Sequence, residues 1–332
     1  MKILDKNFNP IYELDDYQSL IWHEKYYGCG EIEIHVPKML EGAYYIYNND
    51  LKETAIIESY KRDSTKVVYK GSLLKALLRN RIVSIPTLYA NKTAEFIAKD
   101  LVTRYGGQNI KVAPTKNLGT SIEYVQLLGE NLLEYIDTLL CTQELGCYIY
   151  YDYLTAELIF DVFKGEDNTI NKRPLSKDFE TILDATYSED MKSYKNFAYV
   201  GGEQRADGSR LVVPVDRRTN PEEPARELWV DAAGVRKEIL NPDGSKTILT
   251  DAQYRQALIS KGIEELSGYN ISDQIDIINQ ETLELGEKRV YKDDYVITEQ
   301  RVVEIMTGYE KGGKKQVATF GKPRKRKEMN NQ

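Results

Sequence analysis

Residues Tyr17–Val36 read YQSLIWHEKYYGCGEIEIHV. In the second half Ile32, Ile34 and Val36 alternate with Glu31, Glu33 and His35, the period-two signature of a strand with one buried and one wet face. Tyr17–Tyr26 reads as its companion strand. Between them Gly28-Cys29-Gly30 places two glycines around a small residue, which lets the backbone take positive φ or bulge so that the strands fold back on each other. An N-terminal β-unit of this kind opens a barrel or a sandwich, and nothing in it has the pattern of a catalytic group.

Working outward, Gly42–Tyr47, Ala55–Tyr60 and Lys66–Tyr69 are further strands, with KRDST at Lys61–Thr65 as a turn. Ser72 is expected to cap a short helix over LLKALLRNRI that Pro86 stops. The period then changes. Thr93 caps a helix with Phe96, Ile97, Leu101 and Val102 on one face, ended by Tyr105-Gly106-Gly107. A second helix over Gly129–Thr142 buries Leu132, Leu133, Ile136, Leu139 and Leu140, and strands Cys147–Tyr153 and Glu157–Phe163 come next. Asn171–Asp190 is polar and fits no period. Asn196–Gly201, Arg210–Val215 and Glu227–Val230 return to strand, and Val235–Leu249 is a hairpin with NPDGS at its tip. Asp251 caps a helix through Gly268 with Tyr254, Leu258 and Ile263 inward, and Ile271–Phe320 is strand again, with a hairpin at 308–316.

These patterns predict an α+β fold, mainly β and multidomain, with β-barrel domains and a small inserted α+β module. The expected boundaries are 1–88 for an N-terminal β-barrel domain completed by 191–232, 89–190 for the inserted module, and 233–332 for a C-terminal β-rich domain with one helix and a basic tail. At 332 residues the chain exceeds what one core usually spans.

A formal charge of −7 argues against duplex binding over the whole surface, because that affinity comes from phosphate neutralisation. No apolar run approaches a membrane span of about 20 residues, and the start, MKILDKNFNP, lacks the apolar core of a signal peptide; no membrane anchor is expected. Cys29, Cys141 and Cys147 are too few for a disulfide scaffold and read as reduced thiols. His23 and His35, the two histidines, lack metal-ligand spacing even beside Cys29. Acid pairs Asp15-Asp16, Glu166-Asp167 and Asp293-Asp294 sit in turn contexts and do not flank a common bond. No nucleophile elbow, P-loop, dinucleotide fingerprint or zincin motif occurs, so no catalytic, cofactor-binding or metal-binding residue is expected. Tyrosine is in excess, 25 against seven phenylalanines, which suits strands that meet another subunit or water. Lys322–Lys327, KPRKRK, is a basic run after the last strand, either solvated or set against an acidic neighbour.

The opening KILDKNFNPIYELDDYQSLIWHEKYYGCGEIEIHV, followed in order by KGSLLKALLRNRI, NFAYVGGE with RLVVPVD, ARELWVDA, LELGE and RVVEIMTGYEKGGKKQVATFG, resembles the phage tail proteins of the ReqiPepy6-type siphovirus family over nearly the whole chain. These are similar to baseplate or tail-tip hubs of tailed phages, prophages and phage-like bacteriocins. The resemblance implies tail-tube-like barrels, and the lack of any catalytic pattern in the residues leads to the expectation of no enzymatic activity and no cofactor. It further implies a homotrimeric ring in the virion tail, made in the bacterial host cytoplasm, that joins the tail tube or distal tail proteins to a spike or tip protein. DNA would pass through its lumen without specific binding, past acidic or neutral residues, with the basic tail turned toward neighbouring subunits. The alternative is a tail-associated cell-wall hydrolase using carboxylates of 166–190.

Overall fold

A computed structural model describes residues 1–107, 109–205, 207–240, 244–279, 281–310 and 313–321. In chain order the elements are β1 (Lys2–Leu4), β2 (Pro10–Glu13), β3 (Ser19–Lys25), β4 (Glu31–Val36), β5 (Tyr45–Asn48), β6 (Glu53–Arg62), β7 (Val67–Leu73), a 3-10 turn (Leu74–Leu78), β8 (Thr87–Thr93), α1 (Ala94–Tyr105), β9 (Ile110–Val112) and β10 (Ser121–Leu127). They continue with α2 (Leu132–Cys141), β11 (Gly146–Asp152), β12 (Glu157–Phe163), β13 (Ile182–Asp190), β14 (Phe197–Gln204), β15 (Arg210–Asp216), β16 (Glu227–Asp231), β17 (Glu238–Leu240) and β18 (Lys246–Ile248). The last are α3 (Asp251–Ser267), β19 (Ser272–Asn279), β20 (Lys288–Lys292), β21 (Ile297–Glu310) and β22 (Gly313–Gly321). The fold is α+β and mainly β, built on a curled half-barrel sheet.

That sheet has 12 strands in the order β13-β19-β22-β21-β3-β4-β7-β6-β5-β1-β2, with β20 added beside β21. The β3–β4 pair forms as the alternation predicts, Leu20 opposite Ile34 and Trp22 opposite Ile32. Their buried faces fill one lobe with Val36, Ile46, Val67 and Tyr69. Gly28 has φ +89°, whereas Gly30 has ordinary φ and is fixed by space instead: a Cβ there would run into the His23 carbonyl and the Leu73 side chain. The second lobe packs Ile275, Ile277, Val302, Ile305, Ala318 and Phe320. β21 joins the two lobes, pairing β20 through residues 297–301 and β3 through residues 304–310.

The strand that completes the N-terminal sheet is therefore β21 from the C-terminal region, and the expected completion by 191–232 is corrected. β14, β15 and β16 form a separate three-stranded sheet because α3 covers them. Tyr254, Ala257, Leu258 and Leu266 pack on Val200, Val213, Val215 and Val230, and Gly262 lets the helix approach Val200 and Val215 closely. The helix thus belongs with these strands and not with the C-terminal ones. Its cap is Thr250, whose side chain forms a capping box with Gln253, one residue before the expected Asp251; Tyr254 and Leu258 are buried as predicted, but Ile263 is exposed.

Around α1 and α2 a third core gathers Ile97, Leu101, Val102, Leu132, Leu133, Ile136, Leu139 and Leu140 with Phe160 and Val162 of β12. Thr93 caps α1 as expected, while Phe96 turns outward. Leu74 and Leu78 enter this core from a single 3-10 turn in place of the longer helix expected there. Ser72 is no cap, since β7 runs through it and its hydroxyl donates to Glu58 at 2.8 Å. The polar stretch 171–190 ends in strand β13 at the sheet edge, paired to β19. The NPDGS tip lies partly outside the described residues, as does the tip of the 308–316 hairpin; the basic run Lys322–Lys327 lies wholly outside them.

Candidate assembly surface

Alternation along each strand divides the long sheet into a packed face and an open one. In β3, Leu20 and Trp22 are buried while Ile21 is exposed; in β21, Ile305, Thr307 and Tyr309 are buried while Met306 is exposed. Register then assembles a row across four strands. Met306 stands opposite His23 on one side and Val317 on the other, and Val317 stands opposite Ile278. Ile21 lies one step along, opposite Gly308, where no side chain covers it. Ile21, Met306 and Ile278 are 41–45% exposed. Polar and charged side chains border this row in pairs. His23 Nε2 meets Glu304 at 2.8 Å, His35 Nε2 meets Glu33 at 2.7 Å, and Lys70 meets Glu33 at 2.8 Å. Lys70 and His35 hold the Glu33 carboxyl below the usual carboxylate range.

Both ends of the sheet are open among the described residues. β2 pairs with β1 alone and shows Ile11 and Tyr12; β13 pairs with β19 alone and shows Leu183 and Tyr187. Unpaired edges offer a row of N–H and C=O groups to any added strand.

Many of the tyrosines face another part of this chain. Phe8 stacks between Tyr45 and Tyr151 at 4.1 Å from each ring, Tyr47 meets Tyr153 edge-on, and Tyr26 meets Phe163 edge-on. The seam between the N-terminal lobe and the β11–β12 hairpin is thus aromatic. Arg301 locks one end of it, donating to the Gly286 carbonyl at 2.5 Å and to Glu144 at 3.0 Å, while the Tyr26 hydroxyl donates to the Glu144 carbonyl at 3.0 Å.

A cavity of about 380 Å³ opens along the same seam, lined by Glu24, Glu53, Lys75, Cys147, Tyr150 and Phe163 among others. Burial pushes the Glu24 carboxyl up to about 8, with the Glu53 charge adding to it. Glu53 rises by burial to about 7, opposed by the Trp22 indole N–H that donates to it at 2.8 Å. Lys75 forms a buried ion pair with Asp137 at 3.0 Å. Burial pushes the Cys147 thiol up to about 12 and raises Cys29 as well, so neither is an activated thiolate. Sequence reading missed this cavity because Glu24 and Glu53 lie on strands that meet only in the fold.

The residues singled out from sequence take local roles. Asp167 accepts from the Thr169 N–H and hydroxyl, and Asp293 from the N–H groups of Tyr295 and Val296. Asp184 pairs with Lys177 and Glu189 accepts from the Tyr187 hydroxyl, so these carboxylates of 166–190 are engaged separately along the segment. Asp15 and Asp16 are exposed. Cys29, Cys141 and Cys147 are not joined in a disulfide. His23 and His35 each face a different glutamate, and no group of three or more potential metal ligands converges among the described residues. No helix among them is long and apolar enough to cross a membrane.

A search of curated proteins finds no match. Among solved structures, a prophage tail protein from Listeria monocytogenes superposes with TM-score 0.57 at 13% identity, covering 97% of this chain and 94% of that one. A tail protein from Neisseria meningitidis gives TM-score 0.55 at 11% identity over 93% of each chain. The 43 kDa tail protein of prophage MuSo2 from Shewanella oneidensis gives TM-score 0.51 at 12% identity, over 95% of this chain and 96% of that one. The fold is therefore shared with prophage tail proteins end to end. Residues 1–322 match the sequence profile of the Siphovirus ReqiPepy6 Gp37-like proteins, and the chain belongs to that family.

Proposed function

We propose that this protein is a structural hub of the tail tip or baseplate, a trimeric ring that joins the tail tube to a spike or tip protein. The observation that carries the reading is the long sheet itself: one curled half-barrel sheet with two packed lobes joined by β21 and, among the described residues, with both ends open. Three such chains present six lobes to a sixfold tube and three equivalent faces to a threefold tip. Closed cyclic symmetry achieves this with one repeated heterologous interface. The exposed apolar row Ile21, Met306 and Ile278 is surface of the kind a neighbouring subunit or tube protein covers. Its location is then the virion tail, and DNA passes through a lumen of acidic or neutral character, because a basic lining would retain it by counterion release. The test is imaging of native tails: three copies around the axis support the hub, and any other copy number or a lysine-lined lumen overturns it.

One observation favours a second reading as a cell-wall hydrolase, the carboxyl pair Glu24 and Glu53 facing a cavity, in place of the 166–190 carboxylates. Clearing of bacterial cell wall in a zymogram by purified protein, abolished by Glu24→Gln, would establish it; no clearing leaves the structural reading.

A further inference from the structure

The sheet β15-β14-β16 carries a row of aromatic rings on the face turned away from α3. Alternation buries Ala198, Val200, Val213, Val215 and Val230 under the helix and leaves Tyr199, Val212 and Trp229 38–57% exposed on the other side. Register sets Tyr199 between Pro214 and Trp229. Phe197, two residues earlier on β14, meets the Tyr199 ring edge-on at 5.0 Å. Gly201, two residues later, makes room for the Trp229 indole: a Cβ there would stand 2.7 and 2.9 Å from Cζ2 and Cη2 of that ring. The benzo edge of the indole therefore rests on bare backbone, while the side chain stays 57% exposed. Phe197, Tyr199 and the indole over Gly201 thus follow one another along β14 across about 13 Å.

Ion pairs close both ends of the row. Arg210 meets Asp231 at 2.9 Å beside the indole, and Arg218 meets Asp216 at 2.8 Å while its guanidinium stands 5.7 Å over the Phe197 ring. Glu227 stands opposite Phe197, so the two guanidiniums of the border are outnumbered by the carboxylates of Asp216, Glu227 and Asp231. A polyanion gains affinity by trading counterions for unpaired cations, and both guanidiniums here are already matched. A protein core laid on this face would have to desolvate both ion pairs. A pyranose fits both features, because its apolar C–H face stacks on the electron-rich face of an aromatic ring and the hydroxyls round its rim donate to carboxylates and accept from guanidiniums. A β-1,4-linked chain of equatorially substituted rings is a flat ribbon, which suits a row of rings on a sheet. We propose that this face binds a neutral β-1,4-linked glycan, its sugar rings stacked on Trp229 and Tyr199 and its hydroxyls held by the Arg210–Asp231 and Arg218–Asp216 pairs. The stacking needs one chain only, so it stands apart from any ring of copies.

Titration of the full-length protein with N-acetylchitohexaose and with cellohexaose, followed by tryptophan emission, tests the site. The two tryptophans divide the signal, since Trp22 is fully buried and Trp229 is largely exposed. A saturable change in emission, with protection from iodide quenching, is expected with at least one of the two glycans. Trp229→Ala, followed by calorimetry because it removes the reporter, should weaken binding about tenfold or more with circular dichroism unchanged, and Trp229→Phe should recover part of the loss. Gly201→Ala keeps every aromatic ring but displaces the indole, and should weaken binding as well. Failure of both glycans to bind, parent-like affinity in Trp229→Ala or Gly201→Ala, or binding of oligothymidylate in place of glycan would overturn the proposal. So would a change of oligomeric state in Trp229→Ala, which would make the face a contact between copies. Copy number in imaged tails is a separate readout, so the glycan site and the hub can each fail alone.

Discussion

Gly28 and Gly30 show how two glycines in one turn are needed for different reasons. Gly28 sits at positive φ with open space around it, so Gly28→Ala should cost about 1 kcal/mol through backbone strain. Gly30→Ala puts a methyl into the His23 carbonyl and Leu73 and should cost about 2 kcal/mol or more, by forcing neighbours apart. Thermal melts showing Gly30→Ala as the milder variant would contradict this assignment. The Glu24–Glu53 pair makes a prediction about pH. Both carboxyls are raised from 4.5, to about 8 and about 7, so across that interval the folded state binds more protons than the unfolded one. Stability therefore falls as pH rises from about 4.5 to about 8. Glu24→Gln should flatten the fall, leaving the melting temperature near the parent's at pH 5 and above it at pH 8.5; a variant less stable than the parent at pH 8.5 would count against the buried pair. At this scale the sequence was informative where chemistry is local, as in Asp167 and Asp293. It was silent where a side chain acquires its environment from a strand far along the chain, as Glu24 does from Glu53 and Lys75 from Asp137.

Elements were legible when one signal dominated. Strong alternation in Glu31–Val36, leucines at helical spacing in Gly129–Thr142 and threonine at Thr93 each led to the element found. The 3-10 turn at Leu74–Leu78 was misread because LLKALL has helical spacing, yet the strand before it runs on through Ser72 and leaves room for one turn only. β13 was missed because, at the sheet edge, most of its residues are solvated, and hydrophobic alternation needs a buried face to exist. Helix α3 tests the local logic directly. Its capping box rests on Thr250, so Thr250→Ala should lower stability by about 1 kcal/mol, whereas Asp251→Asn, one residue into the helix, should cost less in the same urea titration. Equal losses would mean the cap had been assigned to the wrong residue.

For the whole molecule, mainly-β character was readable from composition and turns, but the partner of β3 was not. Both 191–232 and 297–321 are strand-rich, and the choice between them is made by α3, which occupies the face of the first set and leaves β21 to join the lobes. Removing residues 297–321 should therefore damage the N-terminal lobe as well as the C-terminal one: Trp22, fully buried beside that seam, should show a red-shifted emission and the truncated chain should aggregate. A truncated chain with parent-like Trp22 emission would contradict the shared seam. The same pairing carries a consequence for synthesis. β3 ends at Lys25 and β21 begins at Ile297, so at ordinary translation speeds the N-terminal strands leave the ribosome on the order of tens of seconds before their partner exists. Until then β3 is an exposed edge on a nascent chain, and the charged residues Lys25 and Glu31 that border it keep the waiting strand from pairing with other nascent chains on the same message.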